Sequence, residues 1–232
     1  MEYIILFIIA FCPALFFIFF INAFDFHKPE PTKAILISAI LGIIAALAVV
    51  WGIDVSSVQI EGGHDFNESL TIGFLRLVLP SEIAKWLVLC VFLSLNRFYD
   101  EYVDGIVYSV CLSMGYAGVF GAWFLTSYID ESFAALSVRS IITVIVLIPL
   151  HVISGTVMGY FLGLARKRSK IRNHALALFL PILIDGMLCS MVLMIGPHEW
   201  YYFAVGIILT ILAMVVFTQI FHLLKLDREK QI

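Results

Sequence analysis

Apolar residues along this chain come in long runs, not in short alternation. Seven stretches, about 3–22, 34–53, 70–95, 105–127, 140–164, 175–195 and 201–224, are predominantly Leu, Ile, Val, Phe and Ala. A helix crossing the ~30 Å hydrocarbon core of a bilayer needs about 20 mostly apolar residues, and each stretch is long enough. Charged or turn-rich segments separate them: FDFHKPEP, DVSSVQIEGGHDFNES, NRFYDEYVD, YIDESFAALSVR, ARKRSKIRNH and GPHEW. The pattern predicts an all-α, polytopic membrane helical bundle of about seven transmembrane helices, forming a single domain over residues 1–232. The third span is the least regular, because Arg76, Pro80, Glu82 and Lys85 lie inside it. The first begins MEYIILF, with an acid and no base, and so reads as a helix and not as a signal peptide.

Composition agrees with the pattern. Of 232 residues, 62% are hydrophobic and 13% charged, whereas a soluble domain is about 45–50% apolar and about 25% charged. The surface of a small globule could not cover that much apolar side chain. A secreted disulfide scaffold, a nucleic-acid-binding domain and a disordered chain are excluded. Cys12, Cys90, Cys111 and Cys189 all fall in apolar runs, where a free thiol packs as a small hydrophobe.

The placement of charge adds an orientation. Assigning alternate loops to one side gathers eleven bases there: Lys28, Lys33, Arg97, Arg166, Lys167, Arg168, Lys170, Arg172, Lys225, Arg228 and Lys230. The other side holds Arg139 alone, and its 54–69 loop carries Asp54, Glu61, Asp65 and Glu68 without a base. By the positive-inside rule the N-terminus lies outside and the C-terminus in the cytoplasm.

Small residues recur every fourth position in two spans: Gly155, Gly159 and Gly163 in the fifth, and Gly105, Ser109 and Ser113 in the fourth, where Gly118 and Ala122 form a further pair. Such stripes let helix backbones approach closely inside a membrane. They fit plain helix packing, a homodimer contact or a substrate groove.

Four ionisable groups sit deep in the predicted spans: Glu82, Lys85, His151 and Asp185. A charge at the bilayer centre costs roughly 2.5–3.5 kcal/mol on insertion scales, so such residues mark partners, water or a functional interior. Glu82 and Lys85 are three apart and share a helix face. Pro80 and Pro181, each shortly ahead of one of the acids, loosen the local backbone hydrogen bonding. The four can be read as structural pairs, as a proton relay in a small transporter, or as acid and base groups of an enzyme. Neither HExxH nor GxSxG occurs, which sets aside a zincin and a serine hydrolase. Cys189 with His151 makes only a weak thiolate pair. A metal on Glu82, His151 and Asp185 is chemically feasible, but no ligand-spacing motif supports it, and no metal or cofactor is expected.

Several ordered segments together resemble the PrsW family of intramembrane proteases, glutamic-type enzymes within the superfamily that includes the CAAX-processing membrane proteases. The resemblance runs from Pro13 to about Met191. It is carried by FCPALFFIFFINAFDFHKPEPTKAIL, SEIAKW, YDEYVDGIVYSVCLSMGYAGVFGAWF, IPLHVISGTVMGYFLGLAR and LPILIDGMLCSM. It implies a catalytic set of Glu82, Lys85, His151 and Asp185, with Glu82 activating water and His151 among the groups that stabilise the intermediate. Five positions depart from the family's motifs. Ser81 stands for the first Glu of Glu-Glu-x-x-Lys, and Tyr116 and Phe120 for the Phe and the Glu of Phe-x-x-x-Glu. Asp185 and Cys189 stand for the His and Asp of His-x-x-x-Asp. The implied function is cleavage of single-span membrane proteins, of the anti-sigma-factor type, in a bacterial cytoplasmic membrane. The alternative is an inactive pseudoprotease that binds membrane partners in the same groove.

Overall fold

A computed structural model describes residues 2–23, 30–55, 65–126, 146–166 and 170–194, together with Ile211, Val215 and Thr218. Among these there is no strand. Six helices are long and apolar enough to cross a membrane. In chain order they are α1 (Glu2–Ala23), α2 (Thr32–Val55), α3 (Phe66–Leu95), α4 (Tyr102–Thr126), α5 (Ile148–Ala165) and α6 (Lys170–Met194). The first six predicted spans thus reappear among the described residues, five with ends moved by a few residues and the fifth from Ile148 onward, since 140–145 lie outside the described residues. The seventh, over 201–224, lies outside the described residues apart from the three isolated ones.

The central helix is α4, which packs against α1, α2 and α5 and is buried along nearly all its length. The peripheral helices show the inverse pattern of a water-soluble bundle: α1 turns Ile4, Phe16 and Phe19 outward, and α2 does the same with Ile44 and Trp51. In a bilayer those side chains face lipid tails.

The small-residue stripes explain how close α4 and α5 come. A Cβ on Gly105 would stand 2.8 Å from the Gly159 carbonyl oxygen, and one on Gly163 would stand 2.7 Å from that of Tyr102. Gly118 meets the Phe11 ring of α1 instead. These faces are buried between helices of one chain. Of the readings that the stripes left open, the contacts within the chain are those of helix packing.

Helix α3 departs from ideal geometry where the sequence is least regular. Over Thr71–Val78 it is π-helical, and the Leu79 amide donates to the Phe74 carbonyl five residues back. Pro80 follows directly; its nitrogen carries no hydrogen and its ring crowds the preceding turn, so a widened turn relieves the clash. The π segment also lies against α6, where Gly73 meets Ser190 and Gly186 meets the Phe74 ring. At the opposite end of the bundle, Tyr99 in the α3–α4 connection donates to the Leu162 carbonyl at 3.0 Å. Burial pushes that phenol up to about 12.

Candidate active site

Three helices bring the four predicted polar residues together. Helix α3 supplies Glu82 and Lys85 from the turn after the π segment, α5 supplies His151, and α6 supplies Asp185. All four are buried, Glu82 and Lys85 completely. Lys85 Nζ lies 2.5 Å from Glu82 Oε1, as the three-residue spacing predicts. It also approaches His151 Nδ1 at 3.3 Å and donates to Ser154 Oγ at 3.1 Å. Asp185 Oδ2 faces His151 Nδ1 at 3.9 Å, beyond hydrogen-bonding distance.

The lysine sets the state of the histidine. An ammonium has donors only, so the nitrogen it faces accepts, and the imidazole proton belongs on Nε2. That Nε2 is buried and has no hydrogen-bond partner. Neither do Glu82 Oε2 or the two Asp185 oxygens. Buried polar groups are nearly always satisfied, so this set of unmatched atoms on three neighbouring helices marks a place where something else can bind.

One wall of the site is aromatic. Tyr116 and Phe120, a helical turn apart on α4, stack at 5.9 Å, and both set their rings near-perpendicular to His151, at 5.4 and 6.4 Å. Phe120 therefore puts an apolar surface where the resemblance expects a glutamate. Ser81, at the position of another expected glutamate, accepts from the Tyr116 hydroxyl at 2.7 Å and donates to the Leu77 carbonyl at 2.5 Å. Ser81 and Tyr116 are linked in this way: a tyrosine turned into this core needs an acceptor, and Ser81 is that acceptor. Cys189 packs with the apolar cluster around Tyr116 and Phe120. Ser154 was not among the predicted residues. Its signal was available, since it follows His151 by three positions and so lies on the same face of α5.

Glu82, His151 and Asp185 each offer a ligand atom within 4.8 Å of the others, a donor set of the right kind for a divalent ion. The arrangement of charge does not fit one. Lys85 already occupies Glu82 Oε1 and the acceptor nitrogen of His151, so an ion among the three would stand beside an ammonium and meet a protonated Nε2.

The family described as PrsW family intramembrane metalloprotease matches residues 30–224. Among curated proteins, the chain is similar to Protease PrsW of Clostridioides difficile, 29% identical over 231 residues, covering 96% of this chain and 90% of that one. Protease PrsW of Oceanobacillus iheyensis is 31% identical over 165 residues, covering 68% and 69%. Protease PrsW of Bacillus subtilis is 28% identical over 167 residues, covering 70% and 71%. No solved structure matches the chain.

Proposed function

Since the chain belongs to the PrsW family of intramembrane proteases, we propose that it hydrolyses a peptide bond of a single-span membrane protein, with Glu82 as the base that activates water. The observation that supports this reading is the convergence of Glu82, Lys85, His151 and Asp185 from three helices, with buried polar atoms of the acids and the imidazole left without a hydrogen-bond partner.

In this mechanism the water lies between Glu82 Oε2 and Asp185, both acceptors. Glu82 takes a proton as the water oxygen attacks the scissile carbonyl carbon. Negative charge then develops on the carbonyl oxygen, and His151 Nε2–H donates to it while the Lys85 ammonium stabilises it electrostatically. Preorganised donors in a water-poor site are worth far more than in bulk water. As the carbon–nitrogen bond breaks, the proton held on Glu82 passes to the leaving amine, restoring the carboxylate. The aromatic wall of Tyr116 and Phe120 keeps bulk water from the imidazole. No step is routed through a metal, because Lys85 faces Glu82 Oε1 and His151 Nδ1, two of the atoms that would hold one. The substrate is membrane-embedded because every one of these groups lies within a span. The charge pattern further orients the protein with the α3–α4 connection in the cytoplasm.

The test compares membranes from cells lacking the protein, cells carrying it, and cells carrying Glu82→Gln, by mass spectrometry of protein N-termini. New termini in membrane proteins are expected only with native Glu82. If membrane-protein abundances follow the presence of the chain but no terminus depends on Glu82, the catalytic reading fails and the pseudoprotease replaces it.

A further inference from the structure

Away from the active site, a groove of about 770 Å³ runs between α2 and α3. That volume is in the range of roughly 300–1,000 Å³ typical of small-molecule sites. Its walls are aliphatic, with Ile37 and Leu41 on α2 and Leu87 and Val91 on α3. Lys33 and Arg97 stand at one end, and no acid is among the lining residues. Both cations are exposed, and Arg97 rests its guanidinium 4.8 Å from the Phe98 ring centroid, which holds it over the groove mouth.

We infer that this groove binds one anionic phospholipid, with its phosphate between Lys33 and Arg97 and an acyl chain along the aliphatic walls. The length of the groove selects this occupant. From Leu87 to the helix end at Leu95 is about 12 Å at 1.5 Å per residue, and Asn96 and Arg97 carry the groove on to the interface. Together they span about half of the ~30 Å hydrocarbon core, the depth of one leaflet. A substrate helix or a second copy of the chain would need an apolar face crossing the whole core, whereas this groove starts at the interface and stops near the midplane. Charge selects the headgroup. Lys33 is in the first turn of α2 and Arg97 is the second residue past the end of α3, so both lie where lipid phosphates lie. Basic pockets between transmembrane helices at the interface are suited to anionic headgroups. The positive-inside orientation puts the mouth in the cytoplasmic leaflet. The inference does not depend on the catalytic reading.

The experiment uses the full chain in nanodiscs of phosphatidylcholine doped with phosphatidylglycerol. Lipids retained after detergent extraction are counted by native mass spectrometry. One phosphatidylglycerol is expected to remain bound in preference to phosphatidylcholine. With both cations neutralised (Lys33→Gln with Arg97→Gln), the preference should fall by about fivefold per charge, roughly thirtyfold together. Lys33→Arg should retain it. Val91→Trp, which fills the groove from an exposed lipid-facing position, should abolish retention with both cations in place. Equal retention of the two lipids, or a preference that survives both the charge and the filling variants, would overturn the inference. So would a change of oligomeric state on filling the groove, which would assign it to a second copy. Phosphate ion added without lipid should not displace the bound phosphatidylglycerol; displacement would mean that the acyl chain plays no part.

Discussion

Lys85 and Glu82 form a 2.5 Å ion pair one helical turn apart on α3, and both side chains are buried. A lysine this deep does not reach the interface with its ammonium, so its stability rests on the groups around it. Lys85→Met should strand the glutamate and cost about 3–5 kcal/mol, the usual penalty for removing one partner of a buried pair. Thermal unfolding in detergent checks this, and Lys85→Met combined with Glu82→Gln should regain most of the loss. An unchanged midpoint in the single variant would mean that the ammonium finds water after all.

The same lysine opposes metal binding by placing an ammonium beside Glu82 Oε1 and His151 Nδ1. Lys85→Ala frees Glu82 Oε1 and His151 Nδ1, leaving two carboxylates and an imidazole within 4.8 Å of one another. That variant should be stabilised by added zinc, by about 2.7 kcal/mol at a hundredfold excess over the dissociation constant. The native protein should not respond. A native protein that melts higher with zinc, or loses proteolysis to a chelator, would show that the ion and the ammonium coexist.

Of this cluster, the sequence showed more than its motifs alone suggest. Charged residues in apolar runs are costly wherever the helices pack, so Glu82, Lys85, His151 and Asp185 stood out before any contact was known. The spans were equally legible, because about 20 apolar residues state their own purpose. The π segment was not, since TIGFLRLV has nothing in its composition to separate a π turn from an α turn; the cause is Pro80 downstream and the fit to α6. Nor could the sequence show that Phe120 and Tyr116 flank His151, because a contact across helices depends on how each is rotated. The glycine stripes were visible, but their partner was not, and a close intrachain contact reads the same as a dimer seam.

Ser81 and Tyr116 should respond unequally to truncation. Tyr116→Phe removes a donor but leaves Ser81 bonded to the Leu77 carbonyl, so the loss should be about 0.5–1.5 kcal/mol. Ser81→Ala leaves the buried Tyr116 hydroxyl without its acceptor, a cost of about 1–3 kcal/mol. Thermal unfolding of both single variants and the double variant gives the coupling. Equal single losses would mean that the tyrosine has found another acceptor.

Glycine substitution should separate the internal seam from an external one. Gly105→Ala drives a Cβ toward the Gly159 carbonyl and should cost about 1–3 kcal/mol, as overpacking does. Gly52→Ala meets nothing within 4 Å and should gain up to about 1 kcal/mol of helix propensity. Neither change should alter the oligomeric state measured by light scattering; dissociation caused by Gly105→Ala would restore the dimer reading.

Helix α3 has 30 residues, about 45 Å of helix at 1.5 Å per residue. The hydrocarbon core is only about 30 Å thick, and a helix that exceeds it tilts, kinks or thickens the lipid around it. The helix that carries Glu82 is therefore the one whose inclination the membrane itself sets. A thinner bilayer lays α3 over and a thicker one stands it up, swinging the carboxylate relative to His151 and Asp185 on their shorter neighbours. Bilayer thickness therefore bears on the spacing of the buried polar cluster as well as on the fold around it.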